Sequence, residues 1–134
     1  MKSLEMFVEF ESKLNYSETV EKLSENILQN NWKILIIHDL QETLRKNGKE
    51  VLPVKIIELC NPIYSFQMLE NDNERNVSSL MPCRISVYEK SDGKTYISQM
   101  NAPVLAKQIG GLIETVMSQA YSDIEKIINS FKKQ

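Results

Sequence analysis

Cys83-Arg84-Ile85-Ser86-Val87-Tyr88-Glu89, followed by Asp92-Gly93 and the run from Lys94 to Met100, is the stretch that decides the fold. Cys83, Ile85 and Val87 alternate with Arg84, Ser86 and Tyr88, the two-residue period of a strand with one buried face. Asp92-Gly93 is the signal of a tight hairpin turn of the primed type, so the chain folds back and the two strands pair antiparallel. A sheet of this kind hides its apolar face under helices, and the flanking sequence supplies them.

Upstream, Pro53 admits a strand from Val54 to Leu59 that stops at Cys60-Asn61-Pro62. With Asn61 as N-cap and Pro62 at the first helical position, Ile63 to Leu69 reads as a short helix. Asn71-Asp72-Asn73-Glu74 is a polar break, and a helical turn or loop continues to Leu80. Phe7 to Leu14 reads as the first strand, after which Asn15, placed before Glu18, starts a helix with Val20, Leu23, Ile27 and Leu28 at helical spacing. The dense apolar run from Trp32 to Ile37 lacks polar alternation and predicts a buried strand covered at least partly on both faces. Asp39 caps a short helix through Arg45, ended by Asn47-Gly48.

Pro103 opens the last element, where Ile113, Met117, Ala120, Ile124, Ile127 and Phe131 predict one long C-terminal helix. Gly110-Gly111 predicts a kink or a close backbone contact in it. Leu112, Val116 and Tyr121 form a second apolar stripe, which predicts a helix shared between the sheet and a second copy of the chain. The expected architecture is α+β, one domain over residues 1–134, with a mostly antiparallel sheet and helices on one face.

The chain has 134 residues, 42% of them hydrophobic and 25% charged, enough for a real core and unlike disordered or collagen-like sequences. Sixteen basic against eighteen acidic residues give a net charge of -2, which removes the general electrostatic attraction to nucleic acid or an anionic membrane. The first residues show no continuous apolar leader, and no apolar stretch approaches the roughly 18 residues of a membrane span. A cytoplasmic protein with both cysteines as free thiols is expected.

Candidate chemistry gathers at the two cysteines. Cys60 stands just before a helix N-terminus, where free amides and the helix dipole favour a thiolate and a nucleophile, or it is a small buried hydrophobe. Cys83 shares the face of Ile85 and Val87, which favours a core position. The two form a reversible dithiol only if their Cα atoms come within about 7 Å. His38, the single histidine, reads as a structural residue, a general base, or the third ligand of a Cys2His zinc set with Cys60 and Cys83. One histidine without a convergent carboxylate is a weak ligand set, so no metal and no cofactor are expected. Arg84 holds an anion or an ion pair with Glu58 or Glu89, and Asn61 reads as a cap.

Glu58-Leu59-Cys60-Asn61-Pro62, Met81-Pro82-Cys83-Arg84-Ile85-Ser86-Val87-Tyr88-Glu89 and Asp92-Gly93 resemble the signature of domain-of-unknown-function family 302, over roughly residues 16 to 103. Ser65 departs from that pattern, which more often has alanine after Cys-Asn-Pro. The resemblance implies a single decorated copy of the fold of the TATA-box-binding protein, in a dimer, and implies no activity; a shared fold does not carry DNA binding with it. The expectation for function is a homodimeric binding module with a pocket near Cys60, Asn61, Cys83, Arg84 and His38, taking an unidentified small molecule. The alternative is a thiol-dependent redox or sulfur-transfer protein using Cys60 and Cys83.

Overall fold

A computed structural model describes residues 5–134. The elements follow as β1 (Phe7–Glu11), α1 (Tyr16–Gln29), β2 (Lys33–Asp39), α2 (Leu40–Arg45), β3 (Val54–Cys60), α3 (Pro62–Leu69), a 3₁₀ segment (Asp72–Leu80), β4 (Cys83–Glu89), β5 (Thr95–Met100), α4 (Ala102–Ile109) and α5 (Gly111–Asn129). The strands form one five-stranded sheet in the order β1-β5-β4-β3-β2, with every neighbouring pair antiparallel.

Local signals start the helices as their sequence predicts. The Asn15 carboxamide oxygen accepts from the Glu18 amide at 2.8 Å, Asp39 accepts from Glu42 at 3.0 Å, and Asn61 accepts from Ile63 at 3.0 Å. One sheet face presents Ile57, Leu59, Ile85, Val87 and Ile97, all fully buried against Leu23 and Ile27 of α1 and Ala120, Ile124, Ile127 and Ile128 of α5. Each of these side chains contributes about 1.5–3 kcal/mol by leaving water, which makes this layer the main source of stability. A second cluster, Met68, Val77 and Val116, closes α3 and the 3₁₀ segment onto α5.

Three expectations are corrected. The run from Trp32 to Ile37 is not a buried strand: β2 is the outer strand of the sheet, and Leu35, Ile36 and Ile37 are exposed by 57%, 49% and 37%. An unalternating apolar run has the same composition whether it sits at the centre or the edge of a sheet. Ile34 alone of that run packs on the core beside the buried Trp32, and the register against β3 slips between Ile34 and Ile36.

The C-terminal region is two helices, not one. Gly110 has φ +73 and ψ −172, and Gly111 has φ +61, so the chain breaks where only glycine is at ease. A Cβ at either position would meet nothing within 4 Å, which rules out the close backbone contact as the reason for these glycines. The second stripe on α5 is also occupied: Val116 packs inside the second cluster and Tyr121 is half-buried, leaving Leu112 exposed.

The β4–β5 turn is longer than a two-residue primed turn. Gly93 alone has a positive φ, the Lys90 amide donates to the Lys94 carbonyl at 3.1 Å, and the Asp92 carboxylate accepts from the Lys94 amide at 2.9 Å. Asp92-Gly93 therefore turns the chain within a three-residue loop, Ser91 to Gly93, rather than by itself.

Candidate functional site

Where β3 ends and β4 begins, α3 and α5 do not close completely on the sheet, and a cavity of about 350 Å³ remains. Cys60, Asn61, Cys83 and Arg84 all line it. The sheet register explains the meeting of two thiols that are distant in sequence: Leu59 pairs with Cys83, so Cys60 lies one residue beyond that pair. Both are free and half-buried.

The thiols sit in different surroundings. Cys60 Sγ and Ser65 Oγ lie 2.9 Å apart in a hydrogen bond, so Ser65 of α3 is the partner of the first cysteine. Burial first, and the neighbouring Cys60 second, push the Cys83 thiol up to about 11, against the pull of Arg84. Cys83 is therefore a protonated thiol at neutral pH, unsuited to attack and suited to a wall.

Aromatic and sulfur side chains contribute prominently to the remaining lining. Trp32 and Tyr64 meet at 6.1 Å between ring centres and tilt by 55°. Met68, Met81 and Met117 add thioethers from α3, the segment before β4, and α5. The Tyr64 hydroxyl donates to Asp123 at 2.5 Å, and Asp123 also accepts from Gln119 at 3.3 Å, which fastens α3 to α5. Burial, then the Asp123 carboxylate, raise the Tyr64 phenol, so it stays protonated and donating.

His38 does not join the cysteines. It is not among the residues that line the cavity: its Nε2 lies 3.1 Å from Glu58 Oε2, and the same oxygen accepts from Arg84 Nε at 3.3 Å. Hydrogen bonding from His38, with Arg84 adding to it, holds the Glu58 carboxyl below the usual range. Arg84 takes Glu58 rather than Glu89 as its partner. The Cys2His ligand set is thereby dismantled, and among the described residues no three His, Cys, Asp or Glu side chains converge on a metal position.

Sequence reasoning located the cysteines, Asn61 and Arg84 but missed Trp32, Tyr64, Asp123 and the three methionines. Tyr64, Met68, Met117 and Asp123 come together through the packing of α3 on α5, and Trp32 and Met81 join them from the segments before β2 and β4, which no local pattern announces. The one available signal was Tyr64 itself, a polar aromatic in an otherwise apolar Ile63 to Leu69 helix.

A family model described as domain of unknown function DUF302 matches residues 8–131. Three solved chains match the fold. One is the crystal structure of an uncharacterized conserved DUF302 protein from Bacillus stearothermophilus, which is 20% identical, with a TM-score of 0.84, over 95% of this chain and 98% of that one. No curated protein matches the chain.

Proposed function

The chain belongs to the DUF302 family of domains of unknown function, and on that premise we propose that it is a small homodimeric binding module of the cytoplasm whose ligand enters the cavity beside Cys60 and Cys83. The cavity carries this reading. About 350 Å³ with largely apolar walls and a few polar groups is the usual form of a small-molecule site. Trp32, Tyr64 and the methionine thioethers favour a compact apolar or aromatic ligand, and Cys60, Asn61 and Arg84 meet its polar end. Nucleic acid is a poor partner for a chain of net charge -2 with Glu9 and Glu58 on the open sheet face. No helix among the described residues is long and apolar enough to cross a membrane.

Trp32 is the single tryptophan and lines the cavity, so its fluorescence reports occupancy directly. Titration with the dye 8-anilinonaphthalene-1-sulfonate is expected to quench Trp32 at one dye per chain and to slow alkylation of Cys60. A dye that binds without touching Trp32 or Cys60 rejects the cavity as the site.

The second reading, a thiol-dependent redox or sulfur-transfer protein, is favoured by one observation: Cys60 lies near enough to act electrostatically on Cys83 within the same cavity. In it Cys60 is the nucleophile and Cys83 the resolving thiol. Treatment with inorganic polysulfide and mass spectrometry separates the two readings, since sulfur transfer requires one added sulfur on Cys60 of the folded protein.

A further inference from the structure

We propose that the cavity takes a compact, uncharged apolar molecule whose carbonyl oxygen accepts a hydrogen bond from the Gln99 carboxamide. This rests on the cavity reading above and names the chemical class of its ligand.

Gln99 stands where the strand pattern calls for an apolar side chain. Buried and half-buried residues alternate along β5, and Thr95, Ile97 and Gln99 are its buried set. Ile97 belongs to the main core, whereas Gln99, only 6% exposed, lines the cavity. The ladder between β4 and β5 runs from Glu89 and Thr95 to Ser86 and Ser98 and stops one residue short of Gln99. β1 still pairs with it through Val8, so sheet pairing fixes the Gln99 backbone from that side.

No protein group takes the end of its carboxamide. Ser12 and Thr19, two other buried polar residues, are matched: Ser12 Oγ and Thr19 Oγ1 lie 2.8 Å apart in a hydrogen bond, and Thr19 donates to the Asn15 carbonyl at 2.7 Å. Among the described residues, Gln99 Nε2 is the one enclosed side-chain nitrogen or oxygen without a hydrogen-bond partner. A buried donor without an acceptor destabilises the fold that holds it, and an apolar side chain of similar size removes that penalty. A carboxamide kept here is a donor already in place for an acceptor that arrives with a ligand.

The lining selects the kind of acceptor. Arg84 is its only charged residue; it is half-exposed, and its Nε already bonds Glu58 Oε2 at 3.3 Å. A carboxylate enclosed beside Gln99 would exchange its hydration for a neutral donor, a far greater penalty than a neutral group meets. A hydroxyl brings a hydrogen that needs an acceptor of its own, whereas a ketone or ester carbonyl accepts and needs nothing further. Trp32, Tyr64 and the methionine thioethers then receive the apolar body.

The test on the full chain is displacement of 8-anilinonaphthalene-1-sulfonate by 2-adamantanone and by 2-methyleneadamantane, which has a methylene group in place of the carbonyl oxygen. Comparing the ratio of the two affinities in wild type and in Gln99→Met cancels the different hydrophobicity of the compounds. That ratio is expected to move about tenfold against the ketone in the variant, the loss of one good hydrogen bond. Without any ligand, Gln99→Met is expected to unfold at a higher urea concentration than wild type, because an unmatched buried donor is gone. Gln99→Leu repeats both measurements, so that a misfit of the methionine chain is not mistaken for a lost bond. If both variants are less stable than wild type or fail to fold, the carboxamide is already satisfied and the inference is overturned. An unchanged ratio, or a dye that neither compound displaces, overturns the ligand class and leaves the cavity reading standing. A dye that binds without touching Trp32 or Cys60 overturns the cavity reading and this inference together.

Discussion

The Tyr64 hydroxyl donates to the Asp123 carboxylate at 2.5 Å across 59 residues of sequence, and this is the polar bond that ties α3 to α5 over the cavity. Tyr64→Phe keeps the ring against Trp32 and removes the bond. A net loss of about 1 kcal/mol is expected in urea unfolding, because Asp123 is half-exposed and retains Gln119. A loss above about 3 kcal/mol would show that the ring, not the bond, had been disturbed.

The break between α4 and α5 makes a second prediction. Gly110, at φ +73 and ψ −172, occupies backbone space essentially reserved for glycine, so Gly110→Ala is expected to cost about 1–3 kcal/mol although nothing crowds its Cβ. Gly111 also has a positive φ, +61, so alanine there is strained as well. Equal stability of Gly110→Ala and wild type would mean that the two helices join through a different backbone path.

Much of this fold was legible because its signals are local. The caps at Asn15, Asp39 and Asn61, the Ile85 and Val87 alternation, and the reversal near Asp92-Gly93 each depend on residues a few positions apart. What failed was the reading of Trp32 to Ile37, where composition fixes a strand but not its neighbours, and an edge differs from a centre only in what the rest of the chain does. The cavity was half legible for the same reason. Cys60 and Cys83 end or begin strands that can be read, whereas Tyr64, Asp123, Met68 and Met117 meet through helix packing. His38 stands outside the lining on the outer strand β2, its imidazole held by Glu58.

Burial, not residue type, sets the cost of losing an isoleucine. Ile57 is fully buried between the sheet and its helices, so Ile57→Ala is expected to lose about 2–5 kcal/mol through transfer and cavity terms. Ile63→Ala, at a site 69% exposed, is expected to stay within about 0.5 kcal/mol of wild type. Urea midpoints of the two variants give the comparison directly, and similar losses would contradict the layer assignment.

The raised Cys83 thiol ties stability to alkaline pH. Burial, then Cys60, move it from an ordinary 9.0 to about 11, so between these values the unfolded chain has lost a proton that the folded chain still holds. The contribution is present in full below pH 9 and disappears as pH rises to about 11, a decline of about 2–3 kcal/mol. Tyr16, Tyr88 and Tyr96, each pushed up to about 12, weaken the fold in the same direction at still higher pH. Comparing Cys83→Ala with wild type isolates the thiol, and the variant is expected to lose less stability over that interval. Iodoacetamide gives the matching chemical readout: in the folded protein Cys83 should resist alkylation at pH 8, where an unfolded control reacts. Rapid modification of folded Cys83 at that pH would contradict its burial and favour the dithiol reading over a closed wall.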